Sequence, residues 1–204
     1  QIGTLDTPGR AWTVQRVGSL AYVADGGSGL QIIDVSTPAT PGFVGNFDPP
    51  GAVTAADVEG TLAFLADFAF TLWIVDVSTP ETLILRGSVT TPGQAKNVAV
   101  SGTRAVVADH MSGIDVIDIS TLTNPVSVGS VYTDGYARDV AMFGSLAYAV
   151  DHPAGFYILD MSKADPLDPV GSLQSASAPR HIEILDAIPD IAVLVGGIPY
   201  DPLR

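Results

Sequence analysis

Each stretch of 42 residues in this chain resembles the next, and that period constrains the fold more than any other feature. An aliphatic residue followed by Asp recurs in QIIDVSTP, WIVDVSTP, DVIDISTL and YILDMSKA, which sets Asp34, Asp76, Asp118 and Asp160 at intervals of 42. VADGG has the counterparts LADFA, VADHM and AVDHP, with Asp25, Asp67, Asp109 and Asp151 at the same interval. Gly18, Gly60, Gly102 and Gly144 keep the register, as do Gly45, Gly87, Gly129 and Gly171. A period near 42 suits either paired helices or the blades of a propeller.

The composition of one unit decides between them. In the third copy, NVAVSG, RAVVAD, GIDVIDIS and PVSVGSV are short, β-branched runs separated by Gly, Pro, Asp and Ser, the pattern of strands and turns. We call these strands A to D. The chain holds 21 Gly, 15 Pro and only three glutamates (Glu59, Glu81, Glu183), which continuous helices would not tolerate. The expected fold is all-β, a β-propeller of four-stranded, 42-residue blades.

The phase of the copies extends this reading to the ends of the chain. Gly3 precedes Gly45 by one period, so QIGTL is expected to be a D strand; HIEIL and IAVLVGG align with A and B. The 204 residues fall six short of five full units. One domain over 1–204 is therefore expected, with blades at about 11–47, 53–89, 95–131, 137–173 and 179–204, the last completed by 1–6. A five-bladed ring is the leading expectation, and a piece of a longer propeller is the alternative. The opening QIGTLDTPGR has no initiating Met and no signal-like apolar stretch, and is expected to be a processed or trimmed end.

The run GSLAYVADGGSGLQIIDVSTPATP from Gly18, with its variants WIVDV and VIDIS, resembles the LVIVD repeat family over nearly the whole chain, weakening after about residue 186. The resemblance implies a propeller from a bacterial or archaeal protein, secreted or on the cell surface. It implies no general enzymatic activity and no catalytic residues.

The repeated acids are expected to be scaffold. An Asp closing a strand accepts the backbone N–H two residues on, which suits Asp34, Asp76, Asp118 and Asp160. Asp25, Asp67, Asp109 and Asp151, after strand B, are expected to use the same device. His110 has the counterparts Gly26, Phe68 and His152, so the fold does not require it.

Antiparallel order puts the B–C and D–A connections at one end of the barrel. The D–A connections TPGRAWT, PPGAVTA, TPGQAKN, TDGYARD and SASAPRH carry two columns into strand A, the innermost strand. The first is Trp12, Thr54, Lys96, Arg138, Arg180; the second is Thr13, Ala55, Asn97, Asp139, His181. Three of only nine basic residues thus hold equivalent positions in successive units of a chain with net charge −13. Three accounts stand side by side. Lys96, Arg138 and Arg180 neutralise Asp109, Asp139, Asp151 and the strand-end acids; or they form an anion or carboxylate pocket, where Arg donates in pairs; or His110, His152 and His181 with Asp109 and Asp151 hold a metal. Trp12, Phe68, Phe70 and Tyr136 lie in the same connections and offer a weaker stacking platform.

No H-E-x-x-H, G-x-S-x-G, phosphate-cradling loop or EF-hand is present. The acidic surface repels nucleic acid, and no apolar run is long enough to span a bilayer as a helix. The leading expectation is a non-catalytic extracellular or cell-surface scaffold whose partner is another protein or further copies of itself, with no cofactor. The alternative is a site at the channel mouth for a small molecule, anion or metal, with or without catalysis, built from Trp12, Lys96, Arg138, Arg180, His110, His152 and His181.

Overall fold

The structure, a computed structural model, describes residues 2–163, 168–174, 179–184 and 192–195. These form strands and turns, and no helix among them is long and apolar enough to cross a membrane. Four antiparallel sheets follow one another, each a four-strand meander. The first holds β1 (Thr13–Val17), β2 (Leu20–Ala24), β3 (Leu30–Asp34) and β4 (Gly42–Phe47). The second holds β5 (Val53–Glu59), β6 (Leu62–Asp67), β7 (Thr71–Asp76) and β8 (Ile84–Thr90). The third holds β9 (Asn97–Ser101), β10 (Arg104–Ala108), β11 (Ile114–Asp118) and β12 (Val126–Val131). The fourth holds β13 (Tyr136–Phe143), β14 (Leu146–His152), β15 (Gly155–Asp160) and β16 (Gly171–Gln174). Beyond them β17 (His181–Ile184) pairs with β18 (Ala192–Val195).

The core lies between sheets. Side chains alternate across a strand, and both faces of each B strand are apolar. On β10, Ala105 and Val107 pack with Phe64, Leu72 and Ile74 of the second sheet. Val106 and Ala108 pack with Val140, Ala149 and Leu159 of the fourth. On β6, Leu65 turns to Leu30 and Ile32 of the first sheet, while Phe64 turns to the third. Each fully buried Leu, Ile or Phe contributes about 1.5–3 kcal/mol, so the interfaces between sheets carry most of the stability. Strands β1, β5, β9, β13 and β17 stand side by side in that order, as the inner strands of successive propeller blades do.

The strand-end acids act as expected. Asp34, Asp76, Asp118 and Asp160 accept the backbone N–H of Ser36, Ser78, Ser120 and Ser162 at 2.7–3.0 Å. Asp76 and Asp118 also take Arg86 and Arg104, each at 2.7 Å.

The closing D strand expected at residues 1–6 would pair with the C strand of the last unit, and among the described residues 2–6 carry no strand pairing. The segment aligned with that C strand, about 197–204, lies outside the described residues. Gly3 nevertheless sits where fourth-strand glycines sit. A Cβ on Gly3 would meet Pro38 O at 2.3 Å, as one on Gly45 would meet Pro80 O at 2.2 Å and one on Gly87 would meet Leu122 O at 2.1 Å. Each glycine lets its strand press against the C–D turn of the following unit. Gly87→Ala is accordingly expected to cost about 1–3 kcal/mol, read as a lower midpoint in urea unfolding.

Candidate functional site

The second set of repeated acids positions the connections that carry the candidate site. Asp25, Asp67, Asp109 and Asp151 are all at most 1% exposed. Asp25 accepts Gly9 N–H and the Thr7 hydroxyl, both at 2.7 Å. Asp67 accepts Ala52 N–H at 2.7 Å, Asp109 accepts Gly93 N–H, and Asp151 accepts Gly135 N–H at 3.0 Å. This corrects the expectation of a local turn: the acid reaches back across its own sheet and clamps the D–A connection. Only Asp67 also accepts the N–H two residues on, from Ala69 at 2.9 Å. The glycine of each connection allows the clamp to close, since a Cβ on Gly51 would stand 1.9 Å from Asp67 Oδ1 and one on Gly135 would stand 2.2 Å from Asp151 Oδ1.

Three residues past each clamped glycine comes a channel-mouth residue: Trp12, Thr54, Lys96 and Arg138. Together with Arg180 they surround a cavity of about 220 Å³, whose wall is completed by Thr13, Asn97, Asp139 and His181. The two sequence columns thus converge at one end of the inner strands. Of their ten members only Ala55 is outside the wall; it is buried in the core between the second and third sheets.

Among the described residues Asp139 is the one carboxylate in this wall, and it is fully engaged. It accepts the Asn97 side-chain amide, pairs with His181 Nδ1, and takes the backbone N–H of Val140 at 3.0 Å and of Ile182 at 2.9 Å. Burial pushes its pKa up, and the Ile182 N–H and His181 hold it back. This link between units was not foreseen, because its partners sit in different repeats of one column.

Lys96, Arg138 and Arg180 form no ion pair with any carboxylate among the described residues. Asp109 and Asp151 each give one oxygen to a backbone N–H and leave the other buried without a partner, and Asp139 pairs with His181, so none of the three acids is within ion-pair distance of these cations among the described residues. Lys96 instead lies over the Phe68 ring, its Nζ 4.0 Å from the centroid. The Arg138 Nε is buried with no hydrogen-bond partner. Burial and the Arg138 charge lower the pKa of Lys96.

His110 stacks on Tyr136 with centroids 4.9 Å apart, and its backbone pairs with Ala137 of the next unit. Its φ of 54° matches the 60° of Gly26 at the same position, an uncommon geometry for a residue with a side chain. Burial, then Lys96 and Arg138, lower the pKa of His110. Burial, then Arg138 and Arg180, lower that of His152. The Asp109 and Asp151 carboxylates turn to the connections, while His110 stacks on Tyr136. Among the described residues no three His, Asp or Glu side chains converge to hold a metal ion. Arg10, which the sequence did not single out, lies 4.4 Å over the Trp12 ring.

The family model of the LVIVD repeat matches residues 8–49, 50–91, 92–133 and 134–169. The chain belongs to the LVIVD repeat family. No curated protein matches it. Solved structures share the LVIVD chain's fold at low identity. The computationally designed Ika8 protein matches with TM-score 0.70 and 10% identity, over 91% of this chain and 55% of its own. The β-propeller domain of Myceliophteria thermophila Cps50 (Swd1) matches with TM-score 0.75 and 13% identity, over 92% and 62%. A chain of the mitotic checkpoint complex matches with TM-score 0.70 and 11% identity, over 87% and 54%. The LVIVD chain thus spans little more than half to about three-fifths of the length of these structures, and the likeness is one of fold: it is a β-propeller.

Proposed function

We propose that this propeller is a non-catalytic binding scaffold, outside the cell or on its surface, that engages a protein partner through the face bearing the channel mouth. One observation carries the reading. Trp12, Phe70, Met111, Tyr132 and Tyr136, in or beside the D–A and B–C connections, are exposed, from 39% for Tyr136 to 77% for Tyr132. At the opposite end the A–B turns are Gly18–Ser19, Gly60–Thr61, Gly102–Thr103 and Gly144–Ser145, and the exposed apolar residues beside the C–D turns are mostly aliphatic, Ile84, Val126 and Val170 with Phe43. Aromatic residues, Met and Arg are the types enriched where proteins bind one another, and here they ring a cationic centre. The location follows from the family resemblance, and the mitotic checkpoint match is to a propeller-like chain within a protein complex.

A photo-cross-linking residue at Tyr132, compared with one at Thr103 on the opposite end, tests this in the source cells. A defined protein adduct from position 132 and none from 103 is the expected result. Equal labelling from both positions, or none from either, overturns the reading. So does robust turnover in a screen of ester, glycoside and phosphate substrates.

A further inference from the structure

We infer that the channel-mouth cavity is a receptor for a single carboxylate group. The anionic end lies among Lys96, Arg138 and Arg180, and the uncharged remainder of the ligand rests against Trp12 and Thr54. The inference rests on the reading of the molecule as a binding module and names the chemistry at the centre of its face.

Charge balance is the first argument. In a chain with 22 acidic residues and 9 basic ones, cations find partners easily, as Arg86 and Arg104 do. Lys96, Arg138 and Arg180 instead stand without an acid partner among the described residues, from three successive units around one cavity. The only carboxylate in the wall among the described residues, Asp139, has both oxygens occupied by Asn97, His181 and two backbone N–H groups. Lys96 and Arg138 line the same cavity, and burial first and the Arg138 charge second lower the pKa of Lys96. An anion bound in the cavity offsets these like charges, and the Arg138 guanidinium that lines it has a buried Nε with no hydrogen-bond partner.

Size and symmetry narrow the ligand class. A cavity of about 220 Å³ is below the range of about 300–1,000 Å³ for drug-sized ligands, and suits a small acid or one side chain. The wall is two-sided: cations on the third to fifth units, Trp12 and Thr54 on the first two. A planar carboxylate matches the paired donors of a guanidinium. The protein's net charge of −13 opposes every negative charge brought to it, so a group carrying one charge is favoured over phosphate, which carries nearly two.

Trp12 supplies the readout. Its fluorescence, isolated by difference from the Trp12→Phe protein, is titrated with benzoate, with neutral benzamide, with inorganic phosphate, and with the tripeptide Gly-Glu-Gly blocked at both ends. Benzoate or the peptide is expected to bind, benzamide is not, and Arg138→Ala is expected to weaken binding by about tenfold or more with an unchanged melting midpoint. Arg16→Ala, which removes an exposed charge from the body of β1, leaves it unaltered. If Arg138→Ala does not fold, Lys96→Met takes its place. Binding of the peptide points to a partner's acidic side chain, and binding of benzoate alone to a free acid; either upholds the inference. It is overturned if neither binds, if binding survives both substitutions, or if phosphate binds more tightly. An adduct from position 132 with no carboxylate binding leaves the protein-interface reading standing, and the reverse outcome removes that reading alone.

Discussion

Asp67→Ala is expected to destabilise the protein by about 3–5 kcal/mol, measured as a lower midpoint in urea or thermal unfolding. Asp67 is 1% exposed and accepts three donors: Ala52 N–H, Ala69 N–H and the Trp73 indole N–H at 2.9 Å. A buried donor that loses its acceptor keeps the full cost of leaving water, about 1–3 kcal/mol each. Part of that is offset because the buried carboxylate disappears too. The loss also spreads to the candidate site, since Ala52 N–H is held two residues before Thr54 in the cavity wall. Asp67→Asn keeps the shape and one acceptor oxygen, so its cost is expected to fall between wild type and alanine. An alanine variant as stable as wild type would mean that the clamp is not what holds the connection.

The register was legible in the sequence because a propeller converts equal positions in successive repeats into a ring about one axis. Nothing beyond the 42-residue period is needed to gather Trp12, Thr54, Lys96, Arg138 and Arg180 at one mouth. The strand-end acids were legible for a local reason, since their partners lie only two residues on. Contacts that cross from one unit to the next were hidden. Asn97, Asp139 and His181 occupy one column, and a column shows that three residues are equivalent but not that they touch. The clamp by Asp25, Asp67, Asp109 and Asp151 is hidden from a local reading because its backbone partner, Gly9, Ala52, Gly93 or Gly135, lies 15 or 16 residues upstream, on the far side of strands A and B. Composition leaves the pairing of the cations with acids open beside an anion pocket and a metal site. In the folded chain the nearby acids face the backbone of the connections or His181, and none forms an ion pair with Lys96, Arg138 or Arg180 among the described residues.

Burial of carboxylates gives the second large expectation: stability should be greatest in mild acid and decline toward neutral pH. Asp109 is pushed up to about 6, chiefly by burial, with the Asp115 charge adding to it and the Gly93 N–H and Thr91 hydroxyl opposing. Burial also raises Asp115, against the hydroxyls of Ser127 and Ser130, and raises Asp57 and Asp139. A group with a raised folded-state pKa holds its proton more tightly folded than unfolded. Stability therefore falls as pH rises from the ordinary carboxyl value of about 4 to about 6. Asp34, Asp76, Asp118 and Asp160 act in the opposite sense. Bonds from Ser36, Ser78, Ser120 and Ser162 lower their pKa values, that of Asp76 to about 2, so their contribution is lost only below about pH 4. The melting midpoint should peak at about pH 4–5. Asp109 Oδ1 and Asp115 Oδ2 are both buried without partners, so Asp109→Asn removes a repelling charge while its oxygen can still accept the Gly93 N–H. That variant should melt higher than wild type at pH 7, match it more closely near pH 4, and flatten the descent between. Thermal unfolding of both proteins from pH 3 to 8 decides the matter. A wild-type midpoint that climbs steadily from pH 4 to 7, or an Asn variant that tracks it throughout, would show that the paired acids are not the source of the pH dependence.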